Sequence, residues 1–245
     1  GVSWVAQQLE LKSRIYLPLH TAAIKSSAAK FYGAEVIYTS TRQEAEIKAK
    51  EDGKHGYYFI HPSASDTIIA GAGTMCYEAL QDMPIKPDAI FASIGGGGLI
   101  SGTYLAKESL STNTKVYGAE PLIADDAYLS RQNNRIQSNK ISPDRIADGL
   151  RTLQISDKTF EYIKKIDGIY RISEEDICYY NAWLIHLLKV TVEPSSACAM
   201  AGAVEWLREQ TSKKNILVLI SGGNIDPILY KLLWEKEYLS NIPKL

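Results

Sequence analysis

Residues 87–106, PDAIFASIGGGGLISGTYLA, constrain this chain more than any other stretch. An apolar run from Ala89 to Ile94 meets four consecutive glycines, Gly95, Gly96, Gly97 and Gly98, and a segment able to form a helix follows at once. Such a run reads as a buried strand, and the glycines as the way out of it. Glycine permits a backbone with φ > 0 and lets another group approach the main chain closely. A helix N-terminus offers unpaired N–H groups and a positive dipole end, which favours an anion. Two readings follow, a phosphate cradle or a flexible turn between strand and helix. The stretch by itself leaves both open.

The rest of the chain repeats the alternation. Strands are expected at residues 12–19 (ended by Pro18), 35–39, 56–61, 89–94, 115–120 and 215–220. Helices are expected at the N-terminus, where Val2, Val5, Ala6 and Leu9 share a face, and at 22–32, 42–50, 67–80, 197–209 and 228 onward. Gly33 suits the end of the second helix. Gly71 and Gly73 inside the helix at 67–80 cost about 1 kcal/mol each, so close packing or a ligand is expected there. Residues 121–135 read as loop and then helix, and 141–151 as irregular chain containing IADGLR. Ser173 is expected to cap a helix, with Asp176 at its third position. Strands alternating with helices of about ten residues predict α/β architecture with parallel sheets. No repeat or low-complexity run interrupts the pattern.

Composition enters mainly as exclusion. With 27 basic and 28 acidic residues the formal net charge is −1, so neither a nucleic acid nor a membrane surface is indicated as partner. No apolar run reaches the roughly 20 residues a membrane span needs. The three cysteines, Cys76, Cys178 and Cys198, are too widely spaced for a metal motif or a disulfide framework, and read as reduced residues of a cytoplasmic protein. The histidines show no ligand spacing, and His61, heading HPSASD, reads as structural. The aromatic-rich helix at 179–188 reads as core or an oligomer face.

Three strands end at unusual sequence: 90–94 at GGGG, 116–118 at Glu120 and the pair Asp125 and Asp126, and 216–220 at SGGN. In open α/β sheets ligands bind outside the carboxyl ends of the strands, so three such ends would form one pocket. The ordered set GVSWVAQQL, LPLHTAAIK, YGAEVI, HPSASD with IAGAGT, GGGGLISG, YGAEP with ADDAY, IADGL, VEPSSA and SGGNID resembles the threonine dehydratase and serine racemase group of fold-type-II pyridoxal-phosphate (PLP) enzymes. The resemblance runs over essentially the whole chain. It implies a tryptophan synthase beta-like α/β fold of two open parallel-sheet domains, with the N-terminal part of the large domain missing from this chain. The small, substrate-closing domain would span residues 1–62 and the large PLP-binding domain 63–245.

By position, the resemblance implies that Gly95, Gly96, Gly97, Gly98 and the Leu99 amide cradle the cofactor phosphate. Ser221 would meet the pyridine nitrogen as a neutral partner, and a hydroxyl there leaves the nitrogen largely neutral, which favours β-elimination over chemistry needing a fully developed quinonoid. Glu193 and Asn224 would face the cofactor; Glu193 has the plain alternative of capping the helix that Pro194 starts. Glu120, the Ala124 carbonyl and Asp126 would form a Mg²⁺ or Ca²⁺ site, the alternative being an acidic loop that caps a helix. The Schiff-base lysine, in a motif resembling S-F-K-x-R-G, occurs nowhere in residues 1–245 and is expected upstream of Gly1, as is the S-G-N-H-type loop. The chain as given would then lack its catalytic lysine and be inactive alone. A noncatalytic PLP- or partner-binding remnant is the reading from another class. The resemblance implies deamination of a small amino-acid substrate, L-threonine or L-serine, with serine racemase or hydroxyaspartate dehydratase as alternatives, by a homodimer.

Overall fold

The computed structural model describes residues 1–139 and 146–243. The start of the irregular stretch at 141–151 and the last two residues of the tail lie outside the described residues.

The chain divides into two units. The first holds Gly1–Ile60 together with Asn224–Pro227. Its helix α1 (Val2–Gln8) forms as the spacing indicates and buries only Ser3 and Ala6; Val2, Val5 and Leu9 are exposed. Strand β1 (Arg14–Pro18), helix α2 (Ala23–Phe31), strand β2 (Glu35–Thr39) and helix α3 (Arg42–Gly53) follow. β1 and β2 pair in parallel, Arg14 opposite Glu35 and Pro18 opposite Thr39. Asp52 clasps this unit, its Oδ2 accepting from Arg14 Nη1 at 2.7 Å and from Tyr16 Oη at 2.6 Å. Gly33, at φ +78°, follows α2 in the left-handed conformation glycine tolerates best. The strand expected at 56–61 does not form. Its aromatic and β-branched residues suit a pleated surface, but a strand needs a ladder partner, and this sheet has two strands only among the described residues. Tyr58 is left 84% exposed.

The second unit comprises His61–Gly223 and Ile228–Leu245. Helix α4 (Asp66–Asp82) opens on Ser65, whose hydroxyl accepts from the Ile68 amide. Then come β3 (Ala89–Ser93), α5 (Gly98–Leu110), β4 (Lys115–Pro121), α6 (Asp126–Gln132), a 3₁₀ turn at Asp148–Leu150, α7 (Asp157–Ile163) and β5 (Gly168–Ile172). Helix α8 (Glu174–Leu188), helix α9 (Pro194–Arg208), β6 (Ile216–Val218), α10 (Pro227–Glu235) and a 3₁₀ turn at Tyr238–Ser240 complete it. The sheet is wholly parallel, in the order β5-β4-β3-β6. Ser173 caps α8 and accepts from Asp176, as the sequence indicates. The strand expected at 215–220 pairs only over Ile216–Val218. Sequence reasoning assigned nothing to residues 157–172, where α7 and β5 form; the capping box of Ser156 and Thr159 was the available signal for α7.

β3 is buried along its whole length, and its side chains divide between two cores. Ile90, Ala92 and Ile94 join Cys76 and Leu80 of α4 and Ile100 of α5. Ala89 and Phe91 pack on the other face against Ala199, Ala203 and Trp206 of α9. Phe91 stacks on Tyr117 with ring centroids 5.3 Å apart. Burying a side chain of this size stabilises by about 1.5–3 kcal/mol, so a strand covered on both faces is a strong anchor for the loop that leaves it. α4 and α5 touch backbone to backbone: a Cβ at Gly73 would lie 2.7 Å from the Gly102 carbonyl oxygen. Close packing thus explains Gly73, whereas Gly71 faces open space. The tail is not frayed at residue 241, where Tyr179 Oη and Trp183 Nε1 both donate to the Asn241 carbonyl. No helix among the described residues is long and apolar enough to cross a membrane.

Candidate functional site

The strand order places the glycine loop at a switch point. From β3 the chain moves outward through β4 to β5, then returns to put β6 on the other side of β3. The crevice beyond the carboxyl ends of β3 and β6 is where such sheets bind ligands. Gly95–Gly98 follow β3 and the SGG turn follows β6, so both lie at that edge of the sheet.

The loop is held from several sides. Gly97, at φ +86°, is the N-cap of α5, and a Cβ there would lie 2.7 Å from Cβ of Thr159. A Cβ at Gly96 would lie 2.4 Å from Ser63 Oγ, and one at Gly95 would lie 3.0 Å from the Gly149 carbonyl oxygen. A side chain at any of these three positions would displace a neighbour. The amides of Gly95, Gly96, Gly97, Gly98 and Leu99 donate to no carbonyl or side chain among the described residues. They are buried or half-buried, with Gly97 fully so. Unpaired amides out of water are costly, and a helix start with such amides has the chemistry to hold an anion.

Ser63 reaches the loop through a turn that His61 ties down. The Ser63 and Ala64 amides donate to His61 Nδ1 at 3.1 and 2.8 Å, so that nitrogen carries no proton. The structural reading of His61 stands. The Ser63 hydroxyl donates to nothing among the described residues and lies against Gly96, while the Ser63 backbone and Cβ lie against Gly98. Sequence reasoning missed Ser63 and Thr159 as walls of the loop. The break at HPSASD was visible, but its contact with residues 95–98 is long-range.

Glu193 is the N-cap of α9; its side chain makes no capping hydrogen bond, so the plain capping role falls to its carbonyl, which accepts from Ser196 N. A Cβ at Gly222 would lie 2.6 Å from Glu193 Oε1, and one at Gly149 would lie 3.5 Å from the same oxygen. Ser195 Oγ accepts from the Gly149 amide at 2.9 Å, and Ser196 Oγ from the Gly222 amide at 2.8 Å. The helix start of α9 therefore braces both the 3₁₀ turn and the SGG turn. Ser221 is exposed at the end of this turn, 3.4 Å from Ser196 Oγ. The structure brings the 95–99 loop, Glu193 and Ser221 to one edge of one sheet. Asn224 belongs instead to the first unit.

Glu120 at the end of β4 and Asp126 at the start of α6 are both buried. Glu120 Oε1 accepts from the Tyr128 amide at 2.7 Å, and Asp126 Oδ1 from Asn139 Nδ2 at 2.9 Å. Asp126 Oδ2 is buried with no partner among the described residues. Burial, then the neighbouring Asp126 charge, pushes the Glu120 carboxyl well up, and burial pushes Asp126 up to about 7. Among the described residues no three His, Cys, Asp or Glu side chains gather as a metal cluster. The pair is therefore two buried carboxyls, one of them with an orphaned oxygen.

Comparison with known proteins settles the family. A family model described as pyridoxal-phosphate dependent enzyme matches residues 1–222. The chain belongs to this family. It is 34% identical over 235 residues to a serine racemase of Dictyostelium discoideum, covering 92% of this chain and 71% of the relative. It is 34% identical over 239 residues to an L-threo-3-hydroxyaspartate ammonia-lyase of Saccharomyces cerevisiae, covering 95% and 72%. The crystal structure of a T.th. threonine deaminase superposes with a TM-score of 0.85 at 35% identity, covering 92% of this chain and 74% of that one. For a pyridoxal-phosphate dependent enzyme, the free amides of residues 95–99 at the start of a 13-residue helix fit a phosphate group.

Proposed function

We propose that this protein is a PLP-dependent ammonia-lyase that converts L-threonine or L-serine to a 2-oxo acid and ammonia by α,β-elimination. The observation that carries the reading is the run of unpartnered amides at residues 95–99, beside a β6 terminus that presents a hydroxyl, Ser221. Bound there, the cofactor supplies an electron sink that acidifies Cα–H of an attached amino acid.

Each residue of the site has a distinct task in this reading. The 95–99 amides and the α5 dipole hold the dianionic phosphate, and the Ser63 hydroxyl adds a donor at its flank. Ser221 offers the ring nitrogen a neutral hydrogen bond. A carboxylate would keep that nitrogen protonated; a hydroxyl moderates the sink and favours expulsion of a β-hydroxyl. Glu193 faces the bound group, fixed by the tight approach of Gly149 and Gly222. Glu120, Asp126 and the Ala124 carbonyl would take Mg²⁺ or Ca²⁺, which would offset the repulsion of the two carboxyls. These assignments concern holding and orienting the cofactor; the lysine that joins it covalently is not among them.

The substrate class is supported by the names of the relatives. Serine, threonine and 3-hydroxyaspartate are all α-amino acids with a β-hydroxyl. Racemisation of serine is the second reading, favoured by the 34% identity with a serine racemase. The test is an assay of the full-length protein with PLP on L-threonine, L-serine and L-threo-3-hydroxyaspartate. Equal yields of 2-oxo acid and ammonia are expected. D-serine without oxo acid would establish the racemase reading, and a protein that holds no PLP would sink both.

A further inference from the structure

Helix α2 (Ala23–Phe31) starts without a cap of its own. Its N-cap is Ala22, which has no side-chain acceptor, and no acidic residue stands in its first turn. Four N–H groups at a helix start need partners from elsewhere. Two of them are met by a residue some 200 positions away: Ala23 N donates to Asp226 Oδ2 and Ile24 N to Asp226 Oδ1, both at 3.2 Å. Asp226 thus does what an N-cap aspartate does, with both carboxylate oxygens engaged and its charge at the favourable dipole end.

The place of Asp226 in the chain gives this bond a second meaning. After Gly223 the chain leaves the second unit, contributes Asn224–Pro227 to the first, and returns at Ile228. Asp226 is the polar anchor of that excursion, and Ile225 beside it is buried. Upstream, Gly222 is clamped by Ser196 and Glu193 in the second unit. Only residues 223–225 separate Gly222 from Asp226 in sequence, so the two anchors are joined by a short stretch of chain.

We propose that Asp226 is a positioning residue: by capping α2 it latches the 224–227 segment to the first unit, and through that short tether it sets the conformation of the Ser221–Gly223 turn. The consequence for the cofactor rests on the reading of Ser221 given above. The latch itself rests only on the two hydrogen bonds and the chain connectivity.

The test uses the full-length protein and three forms: wild type, Asp226→Ala and Asp226→Asn. Asparagine keeps one acceptor oxygen where aspartate has two, so it can meet only one of the two amides and serves as a partial rescue. In Asp226→Ala, amide exchange in the first turn of α2 should rise about fivefold, the factor that losing one helix cap commands. Exchange at residues 221–223 should rise with it, PLP affinity should fall about fivefold, and α4 and α5 should be unchanged. Asp226→Asn should fall between wild type and Asp226→Ala in all three. Unchanged exchange in α2 overturns the latch. Faster exchange confined to α2, with residues 221–223 and PLP affinity unmoved, overturns the coupling. Should the wild-type protein hold no PLP, the proposed function fails while exchange in α2 still decides the latch and exchange at 221–223 the coupling.

Discussion

The α4–α5 contact allows a test in which one chemical change has opposite outcomes at two sites. Glycine costs about 1 kcal/mol relative to alanine in a helix interior, so Gly→Ala gains that much where there is room. At Gly71, in α4, an added Cβ meets nothing within 4 Å. At Gly102, in α5, it would lie 2.3 Å from the Ile69 carbonyl oxygen, 2.4 Å from the Gly73 nitrogen and 2.7 Å from the Gly73 Cα. All three atoms are main chain, so no side chain can rotate away and the helices must part. Overpacking costs about 1–3 kcal/mol, and a clash with backbone belongs at the upper end. Subtracting the propensity gain leaves Gly102→Ala less stable by about 2 kcal/mol, while Gly71→Ala should be more stable by about 0.5–1 kcal/mol. In a protein of this size 1 kcal/mol moves the midpoint by about 2–4 °C, so calorimetry should show a fall of about 4–8 °C for one variant and a small rise for the other. Gly102 is four residues into α5, so the same displacement should weaken phosphate retention at the helix start. If both variants move the midpoint in the same direction, the argument from backbone contact is wrong.

Three further outcomes follow from the site. Gly97→Asp places a side chain at φ +86° against Thr159 and a negative charge among the phosphate-facing amides, so the purified variant should carry no PLP by absorbance; full loading would refute the cradle. Ser221→Ala removes one neutral hydrogen bond worth about 1 kcal/mol, so PLP affinity measured by fluorescence titration should fall about fivefold. The folded protein keeps the Asp126 proton up to about pH 7, whereas the unfolded chain releases it near the ordinary 3.8. The folded state therefore binds more protons between those values, and stability from this group falls as pH rises from 4 to 7, by at most about 4 kcal/mol. In urea titrations at pH 5 and pH 8, Asp126→Asn should flatten that loss, and Mg²⁺ or Ca²⁺ should stabilise wild type more at pH 8; an unaltered pH slope in the variant would count against the buried carboxyl pair.

Much of the site's scaffold was legible because it depends on local physics. A continuous apolar run, a glycine string and a helix-competent segment produced β3, the turn and α5 in the expected order. Ser173 with three acidic residues behind it announced the start of α8. Errors arose where the deciding partner is distant. GYYFI has the composition of a strand, yet whether it joins a ladder depends on which strands lie beside it. GIYRI was passed over and became β5 because Pro121 and the rest of β4 offer it an edge. Ser63 gave no sign by itself of standing against Gly96.

The sequence by itself determined the alternation of strands and helices, the parallel class of the sheet and the run of glycines that frees the amides of residues 95–99. These follow from periodicity, backbone permissiveness and the dipole of a helix start, all properties of neighbours in the chain. Tertiary structure alone decided that Gly73 and Gly102 meet, that Glu120 and Asp126 are buried together, that the α9 start braces the SGG turn, and that Asp226 caps α2. Each of these is a contact between residues far apart in sequence, and its strength comes from desolvation and close approach, which exist only once the chain has folded.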